Sequence, residues 1–244
     1  LHYVGGVGAR SISADYYGVF CEALRQLVNV SPEGQPFVAL LANGTSGDIN
    51  NVPWRDGDTN KYAPGEKIKI VANRVATEVA KALPGVKLHD WTPLVAAQQE
   101  LTLGVRKPDA AALARAQDIL AKSPNQFPRL KGLDEIYARE TVQMADYPAR
   151  VTLILQALRL GDLAITAIPC EVFVEIGLEL KAKNPFPASF TISLANGYNA
   201  YLPTPAQHAL GGYETWRAKS SYLETNASPQ ITAVLFDLLG QLKR

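Results

Sequence analysis

Apolar residues recur at helical spacing in several separate segments of the chain. In ADYYGVFCEALRQLV (residues 14–28), Tyr17, Phe20, Leu24 and Val28 fall on one face behind Ser13 as an N-cap, which predicts a helix. In EKIKIVANRVATEVAKAL, Ile68, Val71, Val75, Val79 and Leu83 repeat every three or four positions, opened by Pro64-Gly65 and closed by Pro84-Gly85. Two further helices are predicted, one entered through Pro108 over residues 109–123 and one over Asp134–Met144. The last runs from Pro229 to Leu242, with Ile231, Val234, Leu235, Leu238 and Leu239 on one face.

Strand patterns alternate with these helices. FVALLA (Phe37–Ala42) reads as a short buried strand, and Leu94–Val105 as a second. VTLILQALRLGDLAITAI breaks at Gly161-Asp162 into two alternating runs, which predicts a β-hairpin whose Gly-Asp order suits a type II′ turn. The corner Pro169-Cys170-Glu171 then opens a predicted helix, EVFVEIGLELKAK, and a strand at Phe190–Leu194 precedes a long buried loop. This order predicts an α/β fold, with mixed β-sheets flanked by helices in a layered sandwich and a single domain. No internal repeat interrupts it.

Composition narrows the classes of function. The 244 residues are 47% hydrophobic and 19% charged, with 18 glycines and 16 prolines, an ordinary globular balance. A net charge of +1 lacks the basic surplus that drives phosphate binding, so nucleic acid is not an expected partner. No apolar run reaches the roughly 18 residues that span a bilayer. The first residue is Leu1, followed at once by strand-like sequence, so the chain reads as an excerpt that carries no information on a targeting segment. Cys21 and Cys170 lie far apart among apolar neighbours, as buried free thiols do.

Several familiar catalytic motifs fail. Gly44-Thr45-Ser46-Gly47 lacks the spacer of a G-x-S-x-G elbow, which leaves Ser46 as a loop hydroxyl. Gly6-Val7-Gly8 lacks the third glycine of a dinucleotide fingerprint, and no P-loop is present. His2, His89 and His208 form no H-x-H or H-x-x-x-H pair, and His89 is expected at the surface. More informative is the stretch from Asn184 to Tyr213, which contains no Lys, Arg, Asp or Glu yet holds Tyr198, Tyr201, Tyr213 and His208. Such a segment must satisfy its polar atoms internally.

Taken in order, HYVGG, ISADYYG, NGTSGDINN, IPCEVFVEIG, NGYNAYLPT and GGYE resemble the neutral (non-lysosomal) ceramidase family, especially its divergent bacterial members. The resemblance runs over nearly the whole chain and implies that residues 1–244 form the C-terminal part of a neutral-ceramidase-like catalytic domain. Members of that family hold one catalytic zinc ion (Zn²⁺) with two histidines, a glutamate and a tyrosine, and hydrolyse the amide bond of N-acyl sphingosine. The resemblance places His2, Glu171 and Tyr201 at ligand positions, and Tyr213 at a tyrosine facing the substrate amide. Read without the family, His2 is a polar residue near a terminus, Glu171 a first-turn helix glutamate favoured by the dipole, and the two tyrosines hydrogen-bonded core aromatics.

Two departures stand out. The family's first ligand histidine belongs to a His-x-His motif that these residues do not contain. Its Gly-Asp-Val-Ser-Pro-Asn loop corresponds here to Gly47-Asp48-Ile49-Asn50-Asn51, so Asn50 stands at the serine position. Asp48 and Asn50 are candidates to orient a water or the substrate amide, or else form an Asx-turn. The resemblance thus implies a zinc-dependent hydrolase of an N-acyl amide, with a ceramide-like lipid as leading substrate and a secreted or periplasmic location. Hydrolysis of another amide or an ester, and non-catalytic binding of a lipid or glycan, are the alternatives.

Overall fold

The computed structural model describes residues 2–28, 37–52, 61–125 and 128–243. The chain is organised as two compact units, one of Leu1–Asn43 with Ile49–Thr92 and one of Gly44–Asp48 with Pro93–Arg244. Among the described residues no helix is long and apolar enough to cross a membrane.

The first unit is built on α1 (Asp15–Leu27) and α2 (Glu66–Ala82), packed against each other. Its core is Val4, Tyr16, Phe20, Leu24, Ile68, Ala72 and Ala76. The valine stripe expected to face inward on α2 is only partly buried, and Ala72 and Ala76 lie at the centre instead. Alanine carries nothing beyond Cβ, so helices meet closely there while Val71, Val75 and Val79 flank the seam. Phe37–Ala42 is not a strand. Phe37, Ala39 and Leu41 pack on this core while Val38 and Leu40 are exposed, a strand-like alternation without a ladder partner among the described residues. Cys21 is half-buried, not buried, and its thiol donates to the Ala39 carbonyl at 3.2 Å.

Side chains tie this unit's loops to its helices. The Asp15 carboxylate accepts from the backbone N–H groups of Val4 (2.9 Å) and Gly5 (2.8 Å), which joins ISADYYG to HYVGG. Asn51 donates to the carbonyls of Tyr3 (3.1 Å) and Val4 (2.9 Å), and Lys67 Nζ donates to the Asn51 carbonyl at 2.7 Å.

The second unit is a mixed α/β arrangement. β1 (Leu94–Gly104), β2 (Arg150–Leu160), β3 (Leu163–Ile168) and, beyond the short β4 (Glu171–Val172), β5 (Ala188–Ser193) form a sheet of order β1-β2-β3-β5. The expected hairpin is β2–β3, with Gly161 at φ 60° in its turn. β3 and β5 run parallel, joined through α5 (Val174–Lys183), and Thr166 and Thr191 share a buried hydrogen bond of 2.8 Å across them. Parallel pairing requires such a crossover. α3 (Ala110–Lys122) and α4 (Leu133–Ala145) pack on one another, and after the short α6 (Pro205–Leu210) the last helix, α7 (Ala227–Leu242), lies on β1 and β2.

Period-two alternation explains the sheet's two faces. Leu101, Leu103, Leu153, Leu155 and Ala157 point toward α7, where Ile231, Leu235, Leu238 and Leu239 are buried. The opposite face pairs Gln98 with Gln156 and Thr102 with Thr152, and leaves Leu94, Leu160 and Phe190 exposed.

Candidate functional site

The chain leaves the carboxyl ends of the parallel strands β3 and β5 into two adjacent segments, 169–172 and 194–202. Crevices at such strand ends are where open α/β sheets bind ligands. Main-chain bonds lock the two segments together: Asn199 N to Pro169 O (2.7 Å), Glu171 N to Ala200 O (2.8 Å) and Leu194 N to Cys170 O (3.0 Å). β4 then pairs in parallel with β6 (Tyr201–Leu202), in the register Glu171↔Tyr201 and Val172↔Leu202. Two residues thirty positions apart therefore stand side by side. Glu171 lies in β4, and α5 begins only at Val174, so the glutamate is not in a first helical turn.

Three phenols surround the Glu171 carboxylate. Tyr198 donates to Glu171 Oε1 at 3.1 Å. The Tyr201 hydroxyl is pushed far up, first by burial and then by its neighbours Tyr213 and Glu171. The rings of Tyr201 and Tyr213 meet edge to face, centroids 5.9 Å apart at 84°. Tyr213 is half-exposed, and burial raises its hydroxyl as well. Burial and the Glu171 charge push Tyr198 up to about 12. The segment that carries Tyr198 is strained, with Leu194, Asn196 and Ala200 at φ 58°, 67° and 64°. Non-glycine residues hold such angles at a cost of about 1–3 kcal/mol, and only where surrounding contacts over-determine them.

The loop 44–48 buttresses this centre. Gly47 N donates to Val172 O at 2.7 Å, and a Cβ on Gly47 would collide with the backbone carbonyl of Glu171. Likewise Thr45 fills the space over Gly177 in α5. Asp48 Oδ1 accepts from Val174 N at 2.9 Å and so caps α5. Asp48, a candidate either to orient a water or the substrate amide or to form an Asx-turn, thus makes a long-range cap, and Ser46 is buried.

Of the six candidates from sequence, Glu171, Tyr201 and Tyr213 come together, while Asp48 bonds to Val174 at the start of α5. His2 and Asn50 belong to the first unit. There the His2 carbonyl accepts from the Tyr17 hydroxyl at 2.9 Å, and the Asn50 side chain accepts from Asn51 N at 2.7 Å.

Two supports escaped the sequence reading. Arg106 donates to Thr215 O (2.8 Å), Ser221 O (2.7 Å) and Ser221 Oγ (2.8 Å), which fastens both ends of the loop that follows Tyr213. Burial, with Arg217 nearby, lowers its guanidinium to about 10. Glu140, buried on α4, accepts from Lys219 N at 3.1 Å on the same loop. Nothing in local spacing marks either residue, since their partners are about a hundred positions away or on another element.

Comparison with solved structures places this arrangement in a known architecture. Over 95% of its length the chain superposes on neutral ceramidase from Pseudomonas aeruginosa, with a TM-score of 0.60 at 17% identity. A ceramidase complexed with C2 aligns over 95% of the chain with a TM-score of 0.59 at 18% identity. The fold is that of part of these solved ceramidases. The chain spans 41% and 42% of the lengths of those two proteins. Neither a protein-family model nor a curated protein matches it.

The donor atoms fit part of a divalent metal's shell. A carboxylate oxygen is among the ligands a divalent metal such as zinc accepts, and Glu171 with Tyr201 presents a carboxylate and a phenol oxygen in register. Among the described residues no group of three or more His, Cys, Asp and Glu side chains is placed to hold a metal.

Proposed function

We propose that the chain contributes the C-terminal part of a neutral-ceramidase-like catalytic domain, in a zinc-dependent hydrolase that cleaves an N-acyl amide bond. The observation that carries this reading is the pairing of Glu171 with Tyr201 across β4 and β6, with Tyr213 edge to face against Tyr201. Glu171 and Tyr201 would hold the metal. When bound, zinc supplies a Lewis acid for the amide carbonyl and lowers the pKa of a coordinated water to roughly 7.

The protein's own groups do the rest. The Tyr213 hydroxyl, half-exposed beside Tyr201, donates to the amide oxygen as negative charge develops on it. A phenol is protonated at neutral pH, the form a donor needs, and burial raises this one further from deprotonation. Tyr198 holds Glu171 Oε1 in one orientation, and Gly47 and Asp48 fix the backbone at Val172 and Val174. The segment 184–213, free of charged residues, gives the crevice walls that compete little for water. A ceramide-like lipid is the leading substrate, and a secreted or periplasmic setting accords with such a substrate.

A second reading, hydrolysis of a different amide or an ester, is favoured by Asn50, which stands where the family's loop carries a serine. A panel of N-acyl amides and matched esters offered to the zinc-loaded protein separates the two. Release of fatty acid from amides, reduced about a hundredfold or more by Tyr213→Phe, supports the first. Turnover of esters alone establishes the second, and turnover of neither overturns both.

A further inference from the structure

Apolar side chains lie exposed along the segment that follows α2. After a short 3₁₀ turn at Leu83–Gly85 the chain runs to β1 without helix or strand, and every residue from 81 to 92 is exposed. Leu83 and Val86 are 40% and 58% exposed, while Leu88 and Trp91 reach 93% and 78%. Single exposed apolar residues are ordinary, but a run of them within nine positions marks a contact with a partner or a membrane.

Shape, charge and backbone select between the two. The largest side chains of the segment project almost fully, whereas the anchors of protein interfaces sit in packed, water-excluding pockets at the centre of a patch. Trp91 combines a large apolar ring with one N–H donor, and such a ring settles at the headgroup level of a bilayer. Lys81 is paired with Glu78 at 2.7 Å, and Lys87 and Asp90 carry opposite charges, with His89 the remaining titratable group. No basic surplus is left to hold an anionic surface. The backbone of residues 87–92 makes no hydrogen bond among the described residues, so it stays in the hydrated layer while the side-chain tips reach the acyl chains.

We propose that residues 83–91 dock the protein on a lipid bilayer by shallow insertion of Leu88 and Trp91, with Leu83 and Val86 at the margin. The attraction is apolar, so a zwitterionic surface suffices. This deepens the reading of a ceramide-like lipid as substrate and rests on it for its purpose: a two-chain lipid is held in a bilayer, and the protein must meet it there.

The test offers phosphatidylcholine vesicles to the whole zinc-loaded protein and measures partition by co-sedimentation. A second set of vesicles carries bromine on the acyl chains, which quenches any tryptophan that touches them. Binding is expected, with a change of under about twofold between about 0.05 and about 0.5 M salt. Leu88→Asp is expected to weaken it by about tenfold or more, and Leu133→Asp, at an exposed position on α4, to leave it unchanged. Trp91→Phe is expected to keep most of the binding and lose most of the quenching, which separates insertion of this segment from contact elsewhere. No partition into phosphatidylcholine, partition into anionic vesicles alone that salt abolishes, or indifference to Leu88→Asp overturns the proposal. So does an oligomer in gel filtration that Leu88→Asp dissolves, since the segment is then an interface between copies. Vesicle binding without cleavage of any dispersed short-chain N-acyl amide refutes the hydrolase reading and leaves the docking surface standing. Cleavage without vesicle binding does the opposite.

Discussion

The two units hold their motif residues in place by different means. In the first, side chains reach out to backbone: Asp15 takes the N–H groups of Val4 and Gly5, and Asn51 takes the carbonyls of Tyr3 and Val4. In the second, backbone holds backbone: β4 pairs with β6, Asn199 and Glu171 donate across the two strand-end segments, and Gly47 lies flat on the Glu171 carbonyl. A side-chain anchor can be lost by one substitution and leaves its partners unpaired. A main-chain anchor survives most substitutions and fails only where a new atom intrudes.

Intrusion at Gly47 is the largest expected effect. Gly47→Ala puts a Cβ into the Glu171 carbonyl, which must move, and is expected to destabilise the second unit by about 1–3 kcal/mol. Urea unfolding followed by Trp216 fluorescence measures it, and an unchanged midpoint would show that β4 yields freely. Asp15→Ala is next. It leaves two backbone donors without their carboxylate, for a loss of about 1–2 kcal/mol confined to the first unit. Hydrogen exchange at Val4 and Gly5 should accelerate by roughly tenfold while Thr166 and Thr191 keep their rates; a spread of the effect into β3 and β5 would erase the distinction between the units.

The smallest effect is a pH dependence. Tyr198 holds its proton up to about 12 in the folded chain against 10.0 for a free phenol, because of burial and the Glu171 charge. A raised folded value gives stability that is complete below pH 10 and drains away as pH rises toward 12. Tyr198→Phe should flatten that decline, as read from thermal unfolding across this range. A decline of the same steepness in the variant would remove Tyr198 from the account.

Much of the second unit was legible in the sequence because its pattern and its packing agree. The alternation in β1 and β2 maps directly onto a sheet with one face under α7, and Gly161-Asp162 marks the hairpin turn. α2 shows the limit of pattern. Its valines are the most apolar stripe, but the closest contact falls to Ala72 and Ala76, since close approach selects small residues over greasy ones. Phe37–Ala42 alternates like a strand yet has no ladder among the described residues, because alternation records a half-buried surface and not a partner.

At the site, Glu171, Tyr201 and Tyr213 were reachable through the resemblance of whole motifs. Their meeting depends on the parallel register of β4 and β6, which no local spacing encodes. The Tyr198 bond depends on positive φ at Leu194, Asn196 and Ala200, none of them glycine and so none of them flagged in advance. The absence of charged side chains from Asn184 to Tyr213 did signal that its tyrosines must bond internally, and Tyr198 with Glu171 is one outcome.

The central claim is that Glu171 and Tyr201 are metal ligands. Its most direct test is zinc content by plasma mass spectrometry on the purified protein, beside Glu171→Ala and Tyr201→Phe. The account expects about one zinc per chain in the wild type and a marked loss in both variants. Zinc retained in full by the two variants, or absent from all three proteins, would contradict it.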